Sequence, residues 1–188
     1  MSGDDRYCYP GTFVLRNLLE LENSEQLDIA ERGLVLRRFN EGAPSGRFDL
    51  KHLRAIHFHL FQDVYDWAGE LREVEISKGG NTFMFRKYIE TGMSDVYRRL
   101  TEWKMLRALD ADAFAAKAGE IIGDINHIHP FREGNGRTQM TYLIQLGEQA
   151  GHEIDVTRIK RDVWYPASIA SHSGNFAPMG AAIRSAIA

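Results

Sequence analysis

Residues 129–140 read His-Pro-Phe-Arg-Glu-Gly-Asn-Gly-Arg-Thr-Gln-Met, and this stretch holds the groups that a phosphate site needs. Gly134 and Gly136 can adopt positive φ, which lets backbone N–H groups converge into an anion-binding nest. Asn135 tolerates the left-handed conformation and adds a side-chain donor. The residues from Arg137 onward have a helical pattern, so the nest is predicted at a helix N-terminus, where unpaired N–H groups favour phosphate.

Three charged or titratable side chains in the same stretch indicate what such a site could do. Arg137 adds a fixed positive charge beside the nest. Glu133, next to a bound polyphosphate, could hold Mg²⁺, a hard cation that takes carboxylate and phosphate oxygens. His129 has an ordinary pKa of about 6.5, which suits a general base that takes a proton from an attacking hydroxyl. The alternative is a plain glycine-rich turn between two helices, because short glycine motifs often match by chance.

The whole stretch resembles the signature of the Fic family, His-x-Phe-x-Asp/Glu-Gly-Asn-Gly-Arg-x-x-Arg, at every specified position except the last. The resemblance implies transfer of AMP from ATP to a Tyr, Ser or Thr hydroxyl of a target protein, with Mg²⁺ as cofactor. It implies that His129 is the base, that Phe131 anchors the loop and that Glu133 binds Mg²⁺. The residues that it assigns to the phosphates are Gly134, Asn135, Gly136 and Arg137.

Met140 is the departure from this signature, because the family has a second arginine there that grips the γ-phosphate. Two other functions therefore stay open. One is a different phosphotransferase, such as the Doc branch, which turns ATP around and phosphorylates its target. The other is a catalytically weak Fic fold that acts mainly as a binding partner. The intact Gly-Asn-Gly core, which Doc-like proteins usually lack, favours AMP transfer.

A second segment interrupts the helical pattern of the chain. Residues 71–77 alternate apolar with polar side chains, residues 78–81 are Lys-Gly-Gly-Asn and residues 82–85 are β-prone, which predicts a β-hairpin. An ordinary surface hairpin is the plain alternative. In Fic proteins a hairpin flap at this place lies over the active site and pairs with a target segment by strand addition. The predicted target-docking flap comprises Ser77, Lys78, Gly79, Gly80, Asn81, Thr82 and Phe83.

The remaining chain predicts an all-α fold, because apolar residues recur at three- and four-residue spacings. We expect one domain over residues 1–188, a Fic-type helical bundle whose motif-bearing core spans about 50–150. Ser24 is the expected N-cap of the second helix. The expected helices are 12–22, 24–39, 49–65, 88–109, 112–128, 137–150, 157–171 and 177–187, with a loop at 40–46.

The composition fits a compact enzyme and indicates the compartment and the partners that we expect for it. The chain has 188 residues, 44% of them hydrophobic, and a formal net charge of −3, with no Lys/Arg block to suggest direct nucleic-acid binding. No apolar stretch reaches the roughly 18 residues of a membrane span, and the acidic start lacks the form of a signal peptide. The single Cys8 excludes an intrachain disulfide and suits a reducing compartment. We therefore expect a cytoplasmic protein without a membrane partner.

Six further histidines are assigned to hydrogen bonding in the core or at the surface. Residues two apart on a helix, such as His57 and His59, point about 200° away from each other and cannot bind one ion together. The same holds for residues 127 and 129. The six are His52, His57, His59, His127, His152 and His172.

Regulation is predicted from a missing pattern. Many Fic proteins carry an inhibitory helix with the sequence Ser/Thr-x-x-x-Glu-Gly/Asn, whose glutamate pairs with the second motif arginine. In this chain the position four residues before the glutamate of Glu22-Asn23 is Leu18, and that before Glu41-Gly42 is Arg37. The pattern needs Ser or Thr there, so neither segment matches. A short Fic domain of this kind resembles the toxin of a bacterial toxin–antitoxin pair, in which a small antitoxin supplies the inhibitory helix. In the toxins it resembles, the targets are the ATPase subunits of DNA gyrase and topoisomerase IV.

Overall fold

The computed structural model describes residues 6–188, apart from the side chain of Asn81, and helices dominate this part of the chain. The described residues contain one small sheet, an antiparallel pair of strands, β1 (Ser77–Lys78) and β2 (Asn81–Thr82). The predicted all-α fold with a hairpin is confirmed. The helices are α1 (Ser24–Glu41), α2 (Leu50–Phe61), α3 (Ile89–Glu102), α4 (Ala111–Ile128), α5 (Asn135–Ala150), α6 (Arg161–Ser171) and α7 (Ala177–Ala186).

Helix α4 lies at the centre of the bundle and packs against α3, α5, α6 and α7. Its closest neighbour is α7, where Gly119 and Gly180 meet. A Cβ on Gly119 would lie 2.7 Å from the backbone nitrogen of Gly180, so only glycine allows this approach. The inward side chains of α4, among them Ile121, Ile122 and Ile125, are fully buried. Their burial anchors α4, whose C-terminal end carries the candidate site.

Side-chain caps define where several helices begin. The Asp49 carboxylate accepts the backbone N–H of His52, and the Asp110 carboxylate accepts that of Ala113. For α1 the cap is Asn23, whose side chain accepts the N–H groups of residues 25 and 26. Ser24, the expected N-cap, is instead the first helical residue. The error is one residue, because asparagine and serine are comparably good N-caps.

The predicted helix over residues 12–22 is wrong. The chain turns back at Gly11, which has a φ of +73°, and Cys8 pairs with Leu15 in an isolated antiparallel bridge. The Asn17 side chain then accepts the backbone N–H groups of residues 19 and 21 and donates to the carbonyls of residues 15 and 21. Such side-chain bonds offer the backbone an alternative to the helix, and the apolar periodicity of this segment is satisfied by burial of Leu15.

Other helix boundaries differ from the predicted ones by several residues. Helix α1 continues through Glu41 into the predicted loop, and α2 ends at Phe61 instead of at residue 65. Helix α3 ends at Glu102 because residues 104, 105 and 106 all have positive φ, which no α-helix accommodates. Helix α6 begins at Arg161, after a short 3₁₀ turn at residues 156–158.

The hairpin is much shorter than predicted, since residues 71–76 and 83–85 lie outside its strands. Gly79 and Gly80 both have positive φ, as a two-residue turn between antiparallel strands requires. The N–H of Phe83 adds one bond to the carbonyl of Ile76, 3.2 Å away. Beyond that point the N–H of Met84 donates to His127 of α4, so the two arms separate. Among the helices of residues 6–188, none has both the length and the apolar character needed to cross a bilayer.

Candidate active site

His129 caps the C-terminal end of α4 in the left-handed conformation, with φ 48° and ψ 63°. The next residue, Pro130, has no N–H, so the helical bond that it would donate to the carbonyl of Asn126 cannot form. The ring nitrogen Nδ1 of His129 takes that place, 3.1 Å from the Asn126 oxygen. The short sequence His-Pro at the end of a helix therefore turns the imidazole back onto its own helix.

This hydrogen bond decides which nitrogen of His129 can act as a base. A carbonyl only accepts, so Nδ1 carries the proton of the neutral ring and Nε2 keeps its lone pair. Burial lowers the pKa of His129 to about 4, an effect opposed by the bond to Asn126 and reinforced by the charge of Arg72. The ring is therefore neutral at ordinary pH and can accept a proton at Nε2.

The flap reaches His129 through Phe83, the residue after β2. The phenyl ring stacks on the imidazole with ring centroids 3.7 Å apart and an angle of 18° between the planes. Phe83 is itself buried, and its ring also contacts that of His172, the C-cap of α6, with a centroid distance of 5.1 Å. One face of the candidate base is thus covered by the predicted flap, which orients the ring.

Arg72 joins the segments on both sides of the flap to the end of α4. Its side chain has no exposed surface. Nε donates to the carbonyl of His129 at 2.8 Å, Nη1 to that of Val74 at 2.7 Å, and Nη2 to that of Met84. The bond to His129 satisfies a carbonyl that the end of α4 leaves unpaired, and a cation there is favoured by the helix dipole. Sequence reasoning placed residue 72 in a strand and missed this role.

The loop after Pro130 leads into the N-terminus of α5. Gly134 is the N-cap, with a φ of +80°, and a Cβ there would lie 2.3 Å from the ring of Phe61, so only glycine fits. The first helical bond runs from the N–H of Thr138 to Gly134. The N–H groups of residues 135–137 therefore point out of the helix end, as an anion site requires.

Two details of the predicted nest differ. Gly136 is an ordinary helical residue, and only Gly134 of the pair has positive φ. The Asn135 side chain is buried and faces the loop, where Oδ1 accepts the N–H of Phe131 at 3.0 Å and Nδ2 donates to the carbonyl of Phe131 at 2.8 Å. Asn135 thus holds the loop around buried Phe131, and it presents its backbone N–H to an anion without a side-chain donor.

Glu133 and Arg137 lie side by side at this helix end. The Glu133 carboxylate accepts the N–H of Gly134 at 2.9 Å and lies 3.6 Å from Nη2 of Arg137. The Glu133 side chain is 48% exposed and that of Arg137 35%. An exposed carboxylate beside helix N–H groups can turn toward a cation bound on a phosphate. The described residues contain no cluster of three or more potential metal ligands, so any metal here would need ligands from a substrate.

Arg137 is supported by residues of α1 and α2 that the sequence analysis did not identify. Its Nη1 lies 2.5 Å from the carboxylate of Glu31 in α1, and its guanidinium lies 4.6 Å from the Phe61 ring centroid. Glu31 also accepts the hydroxyl of Tyr65, and burial together with Glu31 raises the pKa of that hydroxyl. The sequence could have indicated that Glu31 is buried, because it lies four residues from Leu27 and from Val35 on one face of α1.

Met140 lies one turn further along α5 and is partly buried. Residues three apart on a helix are neighbours, so this position is next to Arg137 on the helix surface.

The histidines outside the motif make hydrogen bonds, as expected. Their partners are Phe48 and Pro44 for His52, Gly69 and Glu133 for His57, Arg38 for His59, Leu109 for His152, and each other for His127 and His172.

The described site thus combines a histidine whose Nδ1 is bonded to Asn126 with a loop that leads to a helix N-terminus flanked by a carboxylate and a guanidinium, within a helical protein. Residues 47–146 match the Fic/DOC family. The chain belongs to that family, as the resemblance of its motif predicted.

Known proteins resemble the chain over nearly its whole length. The probable protein adenylyltransferase y4lH of Sinorhizobium fredii is 42% identical, over 96% of this chain and 95% of its own. The protein adenylyltransferase VbhT of Bartonella schoenbuchensis is 41% identical over 96% of this chain, which spans 38% of VbhT. Among solved structures, the N-terminal Fic domain of a cell filamentation protein from Bartonella quintana, with bound ADP, superimposes with a TM-score of 0.91. That domain is 30% identical, over 98% of this chain and 95% of its own.

Proposed function

We propose that this protein is an adenylyltransferase that moves AMP from ATP to a hydroxyl side chain of a target protein. The observation that carries the proposal is the tautomer of His129, whose Nδ1 is bonded to Asn126, at the start of the loop that leads into the N-terminus of α5. The predicted enzyme class, nucleotidyltransferase, is confirmed by relatives that bear the name protein adenylyltransferase over most of the chain. ATP as the nucleotide is supported by the ADP bound in the Bartonella quintana domain.

The proposed reaction assigns one role to each part of the site. The helix N–H groups at Gly134, Asn135 and Gly136, together with Arg137, bind and orient the phosphate chain. His129 takes the hydroxyl proton at Nε2 while the hydroxyl oxygen attacks the α-phosphorus. The bond from that phosphorus to the oxygen bridging to the β-phosphate breaks, and pyrophosphate leaves. AMP remains on the target as a phosphodiester.

Glu133 fits a Mg²⁺ ion that is carried by the nucleotide. One exposed carboxylate at the phosphate loop matches the habit of Mg²⁺, which takes one or two carboxylates plus phosphate oxygens and water. Such an ion would neutralise charge on the phosphate chain.

We expect Glu133→Ala to lower the Mg²⁺-dependent rate of transfer and to raise the Mg²⁺ concentration that it needs. The thermal midpoint should stay nearly unchanged, because the side chain is half exposed. The measurement is transfer rate against Mg²⁺ concentration, with Tm alongside. Glu148→Ala, an exposed carboxylate near the far end of α5, is the control. An unchanged magnesium requirement in Glu133→Ala would contradict the role of Glu133.

Target docking on the flap is the second part of the proposal. β1 and β2 pair only with each other within the described residues, so an outer edge can accept an added strand. Phe83 ties that edge to His129, and an added strand of suitable register would bring its hydroxyl to the base. We propose Ser77, Lys78, Gly79, Gly80, Asn81, Thr82 and Phe83 as this docking flap.

The wider setting is proposed by family resemblance. It comprises a cytoplasmic toxin, a small antitoxin that supplies an inhibitory helix, and gyrase and topoisomerase IV subunits as targets. Intact-mass measurement of these subunits after incubation with Mg·ATP tests it directly. Addition of AMP supports the proposal, addition of phosphate supports a Doc-like kinase, and no addition supports a binding role.

Met140→Arg is expected to tighten ATP binding or raise AMP transfer at least several-fold. A methionine donates no hydrogen bond, whereas each charge-assisted bond from arginine contributes about 1.5–3 kcal/mol. Calorimetry with ATP and target modification by mass measure the two effects, and Met140→Leu controls for the change of side chain. Equal affinity and turnover in Met140→Arg and the parent protein would show that another group already holds the γ-phosphate.

A further inference from the structure

We infer that His57, a residue of α2 outside the family signature, is a positioning residue that holds the peptide between Glu133 and Gly134 so that its N–H faces the bound anion. The inference builds on the proposed function, because it takes this loop as the nucleotide phosphate site. The hydrogen bonds and ring contacts from which it is argued all lie within the protein.

The hydrogen bonds of His57 determine its tautomer. The backbone N–H of Gly69 donates to Nδ1 at 2.8 Å, so Nδ1 bears no proton. The neutral ring then carries its proton on Nε2, which lies 3.0 Å from the carbonyl oxygen of Glu133. The side chain is fully buried. With Nδ1 occupied by the Gly69 N–H, His57 donates a single hydrogen bond to the loop.

That single bond orients the donor on the other side of the peptide. A trans peptide is planar, and its C=O and N–H point in opposite directions. Holding the Glu133 oxygen toward α2 turns the N–H of Gly134 outward. In this structure that N–H donates to the Glu133 carboxylate at 2.9 Å, which shows that it is directed at an anionic acceptor.

Aromatic contacts fix the plane of the His57 ring. It stacks on Phe131 of the motif, with centroids 3.9 Å apart and an angle of 17°, and on Phe61, with centroids 4.7 Å apart. Phe61 also supports Gly134, where it excludes a Cβ, and Arg137, whose guanidinium lies over its ring. The imidazole thus positions the loop in two ways, by its hydrogen bond to Glu133 and by its packing on Phe131.

The competing explanation is that His57 only fills the core. Two amide variants separate the explanations, because the amide of glutamine reaches the position of Nε2 and the amide of asparagine that of Nδ1. His57→Gln keeps a donor for Glu133, whereas His57→Asn keeps an acceptor for Gly69. Both remove the aromatic ring, so both lose the stacking on Phe131.

The test is calorimetry of Mg·ATP binding to the purified parent protein, His57→Gln and His57→Asn, with Tm measured for each. We expect His57→Asn to bind nucleotide about tenfold or more weakly than His57→Gln, since one oriented donor is lost, with similar decreases in Tm. Equal loss of affinity in both variants, in step with Tm, would overturn the inference.

Nuclear magnetic resonance keeps the test independent of the proposed function. The ring ¹⁵N shifts of the parent protein should report the Nε2–H tautomer of His57, and the Gly134 amide resonance should move more in His57→Asn than in His57→Gln. A protein that binds no nucleotide but shows this pattern would refute the proposed function and leave the positioning role intact. A parent protein with the proton on Nδ1 would refute the positioning role, even if neither variant folds.

Discussion

Replacing His129 with alanine is expected to lower the rate of AMP transfer by about 10²–10⁴-fold, the usual effect of losing a general base. The fold should persist, because the half-buried imidazole makes one hydrogen bond, to the carbonyl of Asn126, and one ring stack, on Phe83. Intact-mass time courses of a modified target measure the rate. His127→Ala is the matched control, since that ring bonds to His172 through Nδ1.

The pH profile provides a second check on His129. The base works in its neutral form, and its pKa is lowered to about 4 by burial. Transfer should therefore stay level from neutral pH down to about pH 5 and fall as the pH drops through about 4. The same shift makes the folded state lose stability as the pH falls below the unfolded value of about 6.5, because the unfolded chain takes up the proton first. Parental activity in His129→Ala at neutral pH would remove His129 from the mechanism.

Replacing Arg72 with methionine is expected to lower the stability more than any of the other proposed substitutions. The buried guanidinium donates to the carbonyls of Val74, Met84 and His129, and an unsatisfied buried group costs about 1–3 kcal/mol. Loss of three such bonds predicts a decrease in Tm of about 10 °C or more. Transfer should fall as well, because the same bonds join the flap to the base.

The control for this prediction is Arg98→Met. Arg98 makes two ion pairs on α3, but its side chain is 56% exposed, and exposed pairs contribute about 0–1 kcal/mol. Thermal melts of both variants give the comparison. Arg72→Lys adds a second one, since lysine keeps the charge but not the planar fork that reaches several carbonyls. Equal melting of Arg72→Met and the parent protein would show that these bonds contribute nothing net.

The pairing of Arg137 with Glu31 bears on how the nucleotide binds. Under the proposed function, the Glu31 carboxylate orients the guanidinium for the phosphate chain, because their ion pair holds it at the edge of α1. A bound phosphate would then share Arg137 with Glu31 and with Glu133, which lies 3.6 Å away. Prior orientation of this kind reduces the entropy lost on binding.

The sequence alone was sufficient for the features that depend on near neighbours in the chain. Helices α4, α5 and α7 follow from apolar periodicity, although α5 begins at Asn135, two residues before the expected start, and the turn at Gly79-Gly80 follows from residues that tolerate positive φ. The motif from His129 to Arg137 predicted the family by its resemblance to a known signature, which is readable in the sequence because its residues are near neighbours in the chain.

Only the tertiary structure decided which distant residues support that motif. Glu31, His57 and Arg72 reach Arg137, Glu133 and His129 from α1, α2 and the flap arm, and each does so with a side chain that local patterns treat as an ordinary helix or strand residue. The wrong helix at residues 12–22 has the same origin. Apolar spacing indicates that a segment is buried. The rest of the fold determines which residues bury it and which of its backbone groups still need hydrogen-bond partners.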